Sequence, residues 1–160
     1  MVYSVTPAAI PKERVVRALL SVLIIWCSLV QAGESVVATD TWMRAMPPGQ
    51  QMSAAYTTLE NRSKDARAVM SVSSSAARAV EIHISSQQDG TWRMQALEQL
   101  PLPAGEKVVL APGAVHLMVM GLADSPRVGD KIPFELVLDN GDVIKTVADV
   151  RPIGASTHKH

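Results

Sequence analysis

The chain has 160 residues, of which 15 are Lys or Arg and 15 are Asp or Glu, so its formal charge is zero at pH 7. That length suits one domain. The even charge argues against a nucleic-acid partner, which requires a concentrated basic face, and against a strongly anionic ligand.

Residues 1–32 read as a secretory signal peptide. Lys12, Arg14 and Arg17 form a positive leader, Ala18 to Val30 is an apolar run, and Val30-Gln31-Ala32 offers a small-x-small cleavage site. The apolar run falls short of the roughly 20 residues needed to cross a bilayer, so no stable membrane insertion is expected after cleavage. Cys27 follows Ile24-Ile25-Trp26 and lacks the small residues that a lipidation site requires. Cleavage after Ala32 leaves Gly33 to His160, a periplasmic domain over 33–153 with a flexible tail over 154–160. The leader takes with it three basic residues and one acidic residue, so the mature charge is near −2. It also takes the only cysteine. The mature chain therefore has no disulfide, no thiol nucleophile and no thiolate for a blue-copper centre.

The rest reads as all-β. Short apolar or alternating runs recur about every ten residues, the pattern of a sandwich or barrel. The expected strands are 54–60, 66–73, 79–85, 92–97, 106–110, 115–121, 131–138 and 142–150. Asp139-Asn140-Gly141 is the strongest hairpin signal, because Asn-Gly tolerates positive φ. Asp89-Gly90 is a second hairpin tip. Pro101, Pro103-Ala104-Gly105 and Pro112-Gly113 punctuate the middle. Ser73-Ser74-Ser75 has no His with an orienting acid beside it and reads as a loop rather than a hydrolase site.

Four residues stand out by type: His83, Met94, His116 and Met118. Two thioethers and two imidazoles form a soft, neutral donor set suited to Cu(I). Zinc favours Cys, His and carboxylate, and calcium and magnesium require oxygen. In Val80-Glu81-Ile82-His83-Ile84-Ser85, alternation turns His83 away from the core. In His116-Leu117-Met118-Val119, His116 and Met118 share one face. A two-residue Asp89-Gly90 loop makes His83 and Met94 diagonal neighbours. A four-residue loop sets them opposite, and a three- or five-residue loop separates them onto opposite faces. Each residue has a plainer reading: a lone His is usually solvated, and a lone Met usually fills core.

The combination resembles the periplasmic copper chaperone family PCu(A)C. Its signature is His, ten residues, Met, 21 residues, His-x-Met, and His83, Met94, His116 and Met118 match it without a gap. Trp42-Met43-Arg44-Ala45, Ala54-Ala55-Tyr56, Val80-Glu81-Ile82-His83, Asp89-Gly90-Thr91-Trp92-Arg93-Met94 and Pro112-Gly113-Ala114-Val115 extend the resemblance over roughly residues 37–151. Ile84 departs from it, since many members carry an acidic residue there. The resemblance implies a cupredoxin-like Greek-key β-barrel or sandwich and a Cu(I) site made by the four residues. It also implies delivery to a haem-copper respiratory oxidase, directly or through a second copper chaperone. A neutral donor set leaves the ion its charge, which is costly to bury, so a shallow open site near one end of the barrel is expected. His158 and His160 suggest a secondary Cu(II) site. Trp42, Trp92, Met43, Met46 and Met52 either pack the core and loops or frame a docking surface. Copper sequestration for tolerance, or a metal-free binding module, are the alternatives; an enzyme is not expected.

Overall fold

The computed structural model describes residues 35–88 and 90–152. The signal peptide with Cys27, and the tail with His158 and His160, lie outside the described residues. Ten strands follow in chain order: β1 (Val36–Arg44), β2 (Met52–Asn61), β3 (Arg67–Ser73), β4 (Ala79–Gln88), β5 (Thr91–Leu97), β6 (Leu100–Leu102), β7 (Lys107–Val109), β8 (Val115–Met120), β9 (Lys131–Leu138) and β10 (Val143–Arg151). No helix occurs among the described residues.

Their order across the sheet is β5-β4-β8-β2-β1-β10-β9-β3-β6, and a further pairing of β3 with β4, Val72 opposite Val80, closes a seven-stranded barrel. Closure pairs the seven barrel strands on both sides and leaves β5 and β6 as the ends of the sheet order. β5 extends the wall outside β4, β6 lies outside β3, and β7 pairs with β2 in line with β8. Alternate residues fill the interior: Ile82 from β4, Leu117 and Val119 from β8, Phe134 and Leu136 from β9, and Ile144 and Ala148 from β10, joined by Val69 and Val72 of β3, where a register shift brings both inward. Each Val, Leu, Ile or Phe among them is worth about 1.5–3 kcal/mol when fully buried.

All eight expected strands are present within a few residues, and two strands were not anticipated. β1 escapes a period-2 reading because it changes parity part-way. Asp40 has φ 49°, and the register with β2 shifts between Thr39 and Trp42. Before this bulge Val36 and Ala38 face the core; after it Thr41 and Met43 do. A bulge inserts one residue and so exchanges the two faces. The inward Thr41 hydroxyl is satisfied by hydroxyl contacts to Thr57 and Thr146, each at 2.8 Å. The outward residues become Trp42 and Arg44. β6 carries Pro101 at its centre, tolerated because β6 lies at the end of the sheet order and pairs only with β3.

The hairpin at 139–141 forms with a different turn from the one Asn-Gly favours. Gly141 has φ 86°, whereas Asn140 is not in the left-handed region. The Gly141 N–H donates to the Leu138 carbonyl at 3.0 Å and the Leu138 N–H to the Asp142 carbonyl at 2.9 Å. This is a type I turn closed by a glycine bulge, the three-residue hairpin solution.

Candidate metal centre

β4 lies between β5 and β8, and its register settles the placement of the two histidines. His83 stands directly opposite His116 across β4–β8, with ring centroids 6.0 Å apart. On the other side Gln88 pairs with Thr91, so the β4–β5 loop has two residues, and Met94 pairs with Ser85 while His83 pairs with Ala96. Met94 is therefore the diagonal neighbour of His83 on the same face, the two-residue alternative. Met118 is opposite Glu81 on β4 and opposite Ala54 on β2. Ile82, Leu117 and Val119 occupy the opposite, inner face. All four candidate residues thus share the outer face of the β5-β4-β8-β2 wall. Alternation along β8 turns His116 and Met118 out through the wall, so the four lie on the outer face rather than in the interior.

The four differ in depth. His116 is buried at 5% exposure, the His83 side chain is 16% exposed, Met118 is half-buried and Met94 is 55% exposed. Met94, His116 and Met118 line an open cavity of about 350 Å³. His83 does not line that cavity and stands beside His116 at its margin.

Each imidazole is oriented through one nitrogen. His116 Nδ1 lies 3.1 Å from the Ala114 carbonyl. That carbonyl also accepts from the Ser85 N–H at 3.1 Å, tying the approach to β8 to β4. A carbonyl only accepts, so His116 carries its proton on Nδ1, and Nε2 presents a lone pair. Nε2 makes no hydrogen bond among the described residues. His83 reverses the arrangement. Its Nε2 is 2.9 Å from Glu81 Oε2, and its Nδ1 is buried without a partner. With a carboxylate accepting at Nε2, Nδ1 is the free lone pair. A buried nitrogen without a partner costs about 1–3 kcal/mol, a cost that a bound metal ion would relieve. Carboxylate or carbonyl partners behind a ligating imidazole are the usual means of fixing its tautomer.

Tyr56 and Arg44, which also line the cavity, were not marked as site residues by the sequence. Tyr56 on β2 is buried, and its ring packs on Trp42 with centroids 4.4 Å apart and faces His116 at 6.4 Å. The Arg44 Nη2 donates to the Tyr56 hydroxyl at 3.2 Å. Burial raises the Tyr56 pKa above its ordinary value, and the Arg44 charge opposes part of that rise. Met46 and Met52 line the same cavity, with Met52 half exposed, whereas Met43 is sealed in the core and Trp42 is buried. Trp92 is 63% exposed, and its ring edge lies 4.0 Å from where a Cβ on Gly113 would stand. Of the five aromatic and thioether residues considered for a docking surface, Trp92, Met46 and Met52 are available, and Trp42 and Met43 serve packing. No cluster of three or more His, Cys, Asp or Glu suited to a metal exists among the described residues. Any site here depends on the thioethers. The outward position of Glu81 follows from the same alternation that places His83. For Arg44 and Tyr56, the bulge in β1 hid the shared face.

A family model described as "Putative lipoprotein LpqE-like" matches residues 36–150. A putative lipoprotein of Leifsonia xyli subsp. xyli is 28% identical over 128 residues, covering 79% of this chain and 76% of its own length. Among solved structures, the copper-bound PCuAC domain from PmoF2 superposes with a TM-score of 0.63 at 21% identity, covering 74% of this chain and 94% of that one. CuI-DR1885 from Deinococcus radiodurans superposes at 0.60 with 24% identity, covering 80% and 85%. The barrel is thus the cupredoxin-like fold of PCuAC domains, as the resemblance implied.

Proposed function

The chain belongs to the LpqE-like family, and from that premise we propose that it is an exported carrier of Cu(I), held by His83, Met94, His116 and Met118. The observation that carries this reading is the pair of oriented imidazoles. His83 Nδ1 is buried and lacks a partner, while His116 Nε2 is left free by the Ala114 contact. Both stand on one face with two thioethers. Nitrogen lone pairs so placed suit a cation, and thioethers select a soft one. Two similar structures are of copper-bound proteins, one of them described with Cu(I). Those ions belong to those proteins, and they support the same cargo here.

The graded exposure suits transfer. His116 is buried, His83 stands at the margin and Met94 stands out in solvent, so an acceptor's ligands can attack before the donor's leave. A neutral donor set leaves the ion its full charge, and the open cavity keeps that charge near water. The recipient proposed is a haem-copper respiratory oxidase or a second chaperone that serves one. Sequestration for tolerance uses the same ligands, and oxidase activity in a deletion strain at limiting copper separates the two roles. His158 and His160 would add a secondary Cu(II) site, removed by deleting residues 154–160.

The proposed location is the periplasm, with cleavage after Ala32. The word lipoprotein in the names of the family and of the Leifsonia xyli protein supports export. The mass of the exported protein checks the cleavage site. A mature chain beginning at a lipidated Cys27 would replace the soluble carrier with an anchored one.

Titration of the exported protein with Cu(I) and with Cu(II) tests the assignment. One equivalent of Cu(I) is expected, with sulfur and nitrogen neighbours in its X-ray absorption spectrum. The double variant Met94→Ala/Met118→Ala is expected to lose about a hundredfold or more in Cu(I) affinity, two thioether bonds at upwards of 1.4 kcal/mol per tenfold. Unchanged affinity in that variant sinks the reading, and absence of any bound metal favours a plain binding module.

A further inference from the structure

The cavity lined by Met94, His116 and Met118 holds a second, opposite chemistry. Arg44 lines it, and its Nε is buried without a hydrogen-bond partner. Arg62, Arg67 and Arg151 each lie against a carboxylate, of Glu60, Asp65 and Asp40. Arg44 makes no ion pair among the described residues, and no carboxylate lines the cavity. The guanidinium is nevertheless held in place. Arg44 Nη2 donates to the Tyr56 hydroxyl at 3.2 Å, and Tyr56 packs on Trp42. Because the Tyr56 oxygen accepts from Arg44, its own proton is free for another acceptor, and it finds none among the described residues. A guanidinium and a phenol O–H that share one cavity form a donor set for a planar anion.

We propose that this cavity binds a carboxylate at Arg44 and Tyr56 beside the proposed Cu(I) site, and that anion and metal favour each other's binding. The first half rests on the side chains alone. The second rests also on the carrier reading. Cu(I) on four neutral ligands adds a positive charge to a cavity that already contains the Arg44 cation, and like charges in a partly desolvated space repel strongly. A carboxylate between them removes that repulsion. The raised Tyr56 pKa keeps the phenol a donor throughout the neutral range. The carboxylate has two sources, a small free acid or an acidic side chain of a docking protein.

The test follows the Arg44 Nε–H by NMR during titration of the full exported protein with sodium acetate, ionic strength held constant with perchlorate. The titration is run on the copper-free and the Cu(I)-loaded forms. Saturable shifts at Arg44 and Tyr56 are expected. Copper loading is expected to tighten acetate about threefold or more, and by linkage acetate tightens Cu(I) by the same factor. Arg44→Met should abolish both effects, and Tyr56→Phe, which keeps the ring on Trp42, should weaken both. Absence of saturable shifts at Arg44, or equal acetate binding by Arg44→Met, overturns the subsite. Acetate affinity unchanged by copper overturns the coupling. If acetate binds at Arg44 but copper does not bind at all, the carrier reading falls and the subsite stands. A capped Gly-Glu-Gly peptide that displaces acetate identifies a protein side chain as the occupant, and its exclusion identifies a free acid.

Discussion

The two outer walls of the barrel are built alike on the inside and differ on the outside. β9 and β10 bury Phe134, Leu136, Ile144 and Ala148, and turn Lys131, Glu135, Lys145 and Asp149 outward. There Lys145 pairs with Glu135 at 2.9 Å, and the Lys131 ammonium on Asp149 holds that carboxyl below its ordinary range. β4 and β8 bury Ile82, Leu117 and Val119 in the same way, but turn His83, His116 and Met118 outward, with Glu81 as the one carboxylate of that face. The inner faces make the barrel. The difference between the outer faces separates a solvated wall from one that offers soft ligands. The inward residues of β8 fill the core, which leaves its outward positions, His116 and Met118, available for function.

That separation is most exposed to a paired substitution on β8. Leu117→Ala empties a fully buried position and should lower unfolding free energy by about 2–5 kcal/mol, while copper affinity per folded molecule changes little. Met118→Ala, one residue away on the outer face, should do the reverse: stability within about 1 kcal/mol and a loss of tenfold or more in Cu(I) affinity. Denaturant melts and chelator competition read the two effects. Equal stability losses would mean that Met118 is a core residue and that the two faces are not independent.

The same alternation explains what could be read in advance. Period-2 patterning turns His83 away from the core and sets His116 and Met118 on one shared face, and burial of Ile82, Leu117 and Val119 shows that face to be the outer one. The partnership of Met94 was legible only as alternatives, because it turns on the length of the loop at Asp89-Gly90, and Gln88 opposite Thr91 selects the two-residue form. β1 was invisible because Asp40 at positive φ breaks its alternation. With β1 hidden, Arg44 and Tyr56 could not be seen to share a cavity with the candidate residues Met94, His116 and Met118. They are adjacent only through the pairing of Trp42 with Tyr56 beyond the bulge. A long-range pairing across a bulge leaves no local pattern, whereas alternation within β8 is written in six consecutive residues.

A smaller effect should follow from the carboxylate behind His83. Glu81→Ala removes the acceptor at Nε2, so the ring can carry its proton on Nδ1 and withhold the lone pair proposed for the metal. Loss of such a supporting contact costs about tenfold to a hundredfold in metal affinity, and about tenfold is expected because Glu81 is half exposed. Glu81→Gln keeps an oxygen acceptor and should recover much of the loss. Long-range nitrogen–proton NMR on the copper-free protein reads the tautomer directly. An Nδ1–H tautomer already present in the unsubstituted protein would break the assignment of that nitrogen as the ligand.

The smallest change is expected on the opposite wall. Glu135→Ala removes the partner of Lys145, a cross-strand pair in which both side chains are exposed. In water such a pair gains little Coulomb energy and loses side-chain freedom, so its net worth is about 0–1 kcal/mol and falls further with salt. Melting in low and in moderate salt should show a small difference that salt narrows, and chelator competition should show an unchanged Cu(I) affinity. The contrast with Glu81→Ala is the sharper reading. Both substitutions delete one half-exposed carboxylate from an outer face, so surface charge alone predicts similar consequences for copper. Only a carboxylate that orients a ligating ring should matter, and a tenfold loss in Glu135→Ala would mean that the field of the whole barrel, rather than the Glu81–His83 contact, governs the metal.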